Sequence, residues 1–164
     1  MIQHYFPDFK HNDLKPNNIL VQQSPPNSSQ GKKLYKVNLS DGKVIYFEVP
    51  RVGFNIKFCD FDFASIGKLI ENDKVEADWT KKYSINSNGN KYYDLHYLFL
   101  QLQNPQFLNN FQNIVPDIVK NFMNLIIPKK FKKKDVEMNN HRLTKELQSK
   151  EYTTPEKVLQ QSFF

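Results

Sequence analysis

The sequence predicts a mainly α fold with small β elements (α+β), and three observations carry that expectation. Apolar residues recur at helical spacing in the second half of the chain, at Leu95, Leu98, Phe99 and Leu102 and again at Ile118, Val119, Phe122, Leu125 and Ile126. The first half holds only short apolar or alternating runs, at 19–21, 35–39, 43–49 and 56–59, each the length of a strand. Polar, turn-rich stretches separate these runs, so the expected body is helix-rich and strand-poor, with polar loops on it.

In chain order, residues 11–18 read as a polar loop feeding the triplet Ile19, Leu20, Val21, which suits a short strand. Residues 22–33 contain Pro25, Pro26, Asn27, Ser28, Ser29 and Gly31, the turn-forming composition of a surface insertion. The runs 35–39 and 43–49 alternate apolar and polar residues around Ser40, Asp41 and Gly42, as a hairpin with a glycine-containing turn does. After Pro50 and Gly53, Ile56, Lys57, Phe58 and Cys59 read as a strand ending at Asp60.

Periodicity then fades over 63–90, and the tail 84–90 is strongly turn-like, predicting a long loop with little regular structure. Such loops in compact domains tend to be functional. A helix with Leu95, Leu98, Phe99 and Leu102 as its buried stripe follows, and a second lies between Pro116 and Pro128. Thr153 or Thr154 is placed to cap a last short helix, with Pro155 in its first turn and Val158 and Leu159 on its inner face. No internal repeat is present.

With 164 residues, 39% of them hydrophobic and 14% aromatic, the chain suits one globular domain spanning 1–164. Its apolar runs end long before the about 20 residues that span a bilayer, and residues 1–10 lack the apolar core of a secretory signal. An intracellular protein without membrane contact is therefore expected. The single cysteine, Cys59, excludes an internal disulfide framework and a thiolate zinc cluster. The net charge of +6 is spread along a chain rich in lysine and asparagine. Only 129–134, KKFKKK, concentrates it, and such a run reads first as a solvated loop and only then as a nucleic-acid contact.

Two segments carry chemistry. The first, His11-Asn12-Asp13-Leu14-Lys15-Pro16-Asn17-Asn18, matches the pattern H-x-D-x-x-x-x-N with its Lys-Pro pair. The second, Lys57-Phe58-Cys59-Asp60-Phe61-Asp62, sets an acid at the end of a strand. Together they resemble the catalytic loop and the D-F-G motif of eukaryotic-type Ser/Thr protein kinases. The form D-F-D, the hairpin insertion and the run Tyr92-Tyr93-Asp94-Leu95-His96 are similar to kinase-like proteins of large DNA viruses.

The resemblance implies a protein-kinase-like large lobe without the N-terminal lobe. Its parts are a catalytic loop 11–18, an inserted loop and hairpin 22–54, a metal-binding motif 60–62 and a helical subdomain 92–164. It implies transfer of the ATP γ-phosphate to a protein hydroxyl, a reaction that needs positioning and charge neutralisation more than covalent help. Asp13 would orient the hydroxyl and accept its proton, and Lys15 would set a cation beside the transferring phosphate. Asn18 and Asp60 would hold Mg2+, for which an amide oxygen and a carboxylate are suitable hard donors. His11 would brace the loop, Asp94 would hold its backbone, and Arg142 would brace the activation segment by pairing with a glutamate. Asp94 also reads as an acid favoured by a helix N-terminus, and Arg142 as an exposed surface arginine.

The pattern also departs from the family. Only ten residues precede His11, so no Gly-rich loop or strand lysine is present, and weak or no ATP binding by this chain alone is expected. A small lobe or regulatory protein is the expected partner, beside the protein substrate. Asn12 stands where many kinases carry an arginine that receives a loop phosphate, and Asp62 where they carry glycine. Two alternatives follow: a non-catalytic pseudokinase-like scaffold, and a small-molecule phosphotransferase, which Asp62 suits and Lys15-Pro16 does not.

Overall fold

The computed structural model describes residues 2–25, 31–67, 69–81, 83, 85–103, 111–127, 138–139, 142–143 and 154–161. Its elements in chain order are α1 (Ile2–Tyr5), β1 (Phe9–Lys10), a 3-10 turn (Pro16–Asn18), β2 (Ile19–Gln23), β3 (Lys32–Asn38), β4 (Val44–Pro50), β5 (Phe54–Phe58) and β6 (Ser65–Ile66). There follow α2 (Asp73–Glu76), α3 (Asp78–Lys81), α4 (Tyr93–Leu102), α5 (Phe111–Ile114), α6 (Asp117–Ile126), β7 (Met138–Asn139), β8 (Arg142–Leu143) and α7 (Pro155–Val158). The fold is therefore mixed, with small antiparallel sheets carrying more of the described chain than a strand-poor body would.

Each sheet is a two-stranded antiparallel pair: β1–β6, β2–β5, β3–β4 and β7–β8. The hairpin β3–β4 runs in register from Lys32 opposite Pro50 to Asn38 opposite Val44. Gly42 closes it at φ +83°, a conformation that costs glycine no Cβ clash. Strand β2 extends through Gln23, which lies opposite Phe54 in β5. The insertion between the two motifs is thus narrower than 22–54, because both of those ends belong to the motif-bearing sheet. Val21, Phe54, Ile56 and Phe58 line one exposed face of that sheet.

The stretch 63–90 is more regular than its sequence predicts. Asn72 caps α2 by accepting the Lys74 N–H, and its amide donates to the carbonyls of Asp62 and Ala64. One side chain thereby starts a helix and ties back the chain leaving Asp60. Helices of four residues are too short to register as periodicity.

Helix α4 departs from its expected face. Its fully buried residues are Tyr93, Asp94, His96, Tyr97 and Gln101, whereas Leu95, Leu98, Phe99 and Leu102 are only half-buried. The two sets lie on opposite sides of the helix, so α4 is enclosed twice. Its leucine side meets α6, where Phe99 and Phe122 pack edge to face at 6.1 Å. Its polar side faces the loops. On α6, Met123 and Ile126 are buried with the following Ile127, while Ile118 and Leu125 of the predicted stripe are exposed. At the C-terminal end Thr154 caps α7 by accepting the Lys157 N–H, Pro155 opens it, and Val158 is buried. The run 129–134 and Pro128 lie outside the described residues.

Candidate functional site

His11 to Asn18 fold into a buried loop anchored from several directions. Leu14 is buried beneath it. Pro16 opens the 3-10 turn, where its fixed φ and missing N–H cost nothing, and the Asn18 N–H closes that turn on the Lys15 carbonyl at 2.9 Å. The Asn18 amide then reaches back, donating to the Asp13 carbonyl at 2.9 Å and to Asp13 Oδ2 at 3.1 Å. Lys15 Nζ lies 2.9 Å from the same Oδ2. Lys15 and Asn18 therefore converge on the buried carboxylate of Asp13, whose side chain is 6% exposed.

Asp60 is brought to this loop through the residue before it. The Cys59 N–H donates to the Asn18 carbonyl at 3.0 Å, and the Cys59 carbonyl accepts from His11 Nε2 at 3.0 Å. The strand end is stapled between the first and last residues of the loop, so Asp60 directly follows a residue tied to both ends of the segment that carries Asp13. Asp60 is exposed and adopts φ +61°, a region that aspartate tolerates better than most residues. Phe61 packs against the His11 ring at 4.7 Å. Asp62 turns away from the loop and pairs with Lys74 at 2.6 Å in solvent.

Asp94, at the start of α4, accepts the backbone N–H groups of His11 at 2.7 Å and Asn12 at 2.9 Å. Burial pushes its carboxyl pKa up; those two donors, with His11 and Lys10, pull the other way. Asn12, at φ +63° and fully buried, donates from Nδ2 to the carbonyl of Phe63 and to Ser65 Oγ. Buried Lys10 donates to Asn86 Oδ1 at 3.0 Å and lies 5.3 Å from the Tyr93 ring centre. These contacts of Lys10 and Asn86 have no counterpart in a motif, and the only signal for them is the polar alternation Asp8, Lys10, Asn12. Arg142 lies in β8, beside α4, and its side chain lies outside what is described.

The donor set fits a hard divalent cation. Asn18 offers an amide oxygen whose nitrogen end is already committed to Asp13, and Asp60 offers an exposed carboxylate. No cluster of three or more His, Cys, Asp or Glu suited to a metal occurs among the described residues. A two-donor shell suits an ion that shares its remaining positions with phosphates and water. No described helix is long and apolar enough to cross a membrane.

Comparison with known proteins gives the chain a family. Residues 3–164 match the family described as poxvirus serine/threonine protein kinase. The chain is 40% identical over 160 residues to "Putative serine/threonine-protein kinase R400" of Acanthamoeba polyphaga mimivirus, covering 97% of this chain and 33% of that protein. It is 33% identical over 90 residues to serine/threonine-protein kinase 2 of fowlpox virus (strain NVSL), covering 55% of this chain and 16% of that protein. The chain thus spans about a third or less of the length of these relatives. No solved structure matches it.

Proposed function

The chain belongs to the poxvirus serine/threonine protein kinase family, and from that premise we propose that it supplies the catalytic lobe for transfer of the ATP γ-phosphate to a serine or threonine hydroxyl of a protein. The observation that carries this reading is the stapling of Cys59 between His11 and Asn18, which sets Asp60 against the loop holding Asp13. In this reading Asp13 accepts the hydroxyl proton, and its buried, doubly tied carboxylate is held in one orientation by Asn18 and Lys15. Lys15, paired with Asp13, sets a cation beside the transferring phosphate and offsets its charge. Asn18 and Asp60 would hold Mg2+, which would supply neutralisation of phosphate charge when bound with ATP. His11 and Asp94 keep the loop in place, and Arg142 is proposed as a further brace.

The exposed apolar face of β2–β5 supports a partner that covers it, either the remainder of a longer kinase or a regulatory protein. The protein is proposed to act inside the host cell, in the cytoplasm. Replacing the matching third of the mimivirus relative with this chain gives an assay for the whole reading. That chimera should phosphorylate serine or threonine in a protein acceptor, and Asp13→Asn should reduce turnover by a factor of 100 or more, about 3 kcal/mol. Turnover of the Asp13→Asn chimera at the parental rate would remove Asp13 from the chemistry.

A further inference from the structure

The run entering the catalytic loop reaches both ends of the long 63–89 segment with alternate residues. Asp8 sits between two glycines of that segment. A Cβ added at Gly67 would meet the Asp8 side chain at 3.0 Å, and one added at Gly89 would overlap the Asp8 carboxylate. Lys10 pairs through its backbone with Ser65 and through its ammonium with Asn86. Asn12 donates to Phe63 and Ser65 at one end and, at 3.4 Å, to the Asn86 carbonyl at the other. Phe63, Ser65 and Gly67 are the near end, and Asn86 and Gly89 the far end.

We propose that Lys10 and Asn12, with Asn86, are positioning residues that close the base of the 63–89 loop, with Asp8 packed between its two glycines, and so fix the protein-acceptor side of the site relative to Asp13. The inference rests on the kinase reading above and names how that site is shaped. Three features argue for a dedicated closure. Lys10 and Asn12 are 1% and 0% exposed, and polar groups this deeply buried are retained only where their hydrogen bonds are made. The contacts join segments more than 50 residues apart, at both ends of one loop. The two glycines stand where a side chain would displace Asp8. The clamp uses only groups of the unmodified chain, so the base closes without a phosphate on the loop.

Hydrogen exchange of the 164-residue chain, read by mass spectrometry, tests the clamp without reference to activity. Asn12→Asp keeps the shape and tolerates the positive φ, but turns an acceptor toward the Phe63 and Asn86 carbonyls. It should speed exchange about tenfold at both 64–69 and 86–93 while β2–β5 stays protected. Asn86→Ala should do the same, and Asn86→Asp should restore protection by accepting from Lys10. Gly89→Ala should open the base, and Asp8→Gly in the same chain should close it again; this pair lies outside the buried hub and remains readable if the Asn12 variants unfold. Acceleration at one end only, wild-type exchange in Asn12→Asp, or no reversal by Asp8→Gly would overturn the clamp. In the chimera, Asn86→Ala should raise KM for the protein acceptor several-fold with KM for ATP unchanged, and an unchanged acceptor KM would overturn the positioning role. A chimera inactive with every acceptor would defeat the kinase reading, while the exchange data would still decide the clamp.

Discussion

The Asp94 carboxylate accepts the His11 backbone N–H at 2.7 Å across 83 residues of sequence, and its second oxygen takes the Asn12 N–H at 2.9 Å. A helix N-terminus and the 11–18 loop are thereby joined by one side chain. Asp94→Ala would leave two buried N–H groups without an acceptor, at about 1–3 kcal/mol each. The expected loss is about 3 kcal/mol, read as a lower urea midpoint at unchanged slope. Asp94→Asn keeps one acceptor oxygen and should lose about half of that. A loss below 1 kcal/mol for the alanine variant would show that the loop holds itself.

His96, on the same buried side of α4, has its pKa lowered to about 4 by burial. Between pH about 6.5 and about 4 the unfolded chain takes up a proton that the folded chain refuses. The His96 contribution is therefore flat above pH 6.5 and is lost as the solution is acidified through that window, by about 3 kcal/mol in full. Asp94, with a raised pKa, contributes with the opposite sign above its ordinary value, so the informative quantity is the difference between wild type and His96→Gln. That difference should shrink steadily from pH 6.5 to pH 4. A constant difference would mean that His96 takes up its proton as readily in the fold as in the unfolded chain.

Much of the site was legible because its residues are contiguous and chemically specific. The loop 11–18, the strand after it, the acid at the end of 56–59, the Gly42 turn and the Thr154 cap all follow from local rules. What was not legible depends on distant partners. The α4 face was misread because Tyr93, Asp94, His96, Tyr97 and Gln101 are buried by what surrounds them, whereas periodicity weighs only hydropathy. The roles of Asp8, Lys10 and Asn12 escaped because β1 is two residues long and its partner lies more than 50 residues on. The short helices α2 and α3 escaped because the Asn72 cap, more than any apolar stripe, starts the first of them.

Helix α6 offers a direct check on which face is inward. Met123 is 3% exposed, so Met123→Ala should cost about 2–4 kcal/mol through lost transfer energy and a cavity. Ile118 is 66% exposed, and Ile118→Ala should change stability by less than about 0.5 kcal/mol. Thermal midpoints of the two variants would reveal it. Equal losses would restore the face expected from the sequence.

The chain leaving Asp60 is held by two kinds of contact whose strengths differ. The Asp62–Lys74 pair is close, at 2.6 Å, but both side chains are more than half exposed, so solvent and salt screen it. Lys74→Met should therefore shift stability by no more than about 0.5 kcal/mol, and added salt should erase even that. Asn72 instead accepts the Lys74 N–H and donates to the carbonyls of Asp62 and Ala64. Asn72→Ala removes a helix cap and two backbone ties at once, for an expected loss of about 1–2 kcal/mol that salt leaves in place. Urea denaturation of both variants at low and high salt separates the contributions. If Lys74→Met were the more damaging, the exposed ion pair and not the Asn72 amide would be what secures the turn after Asp60.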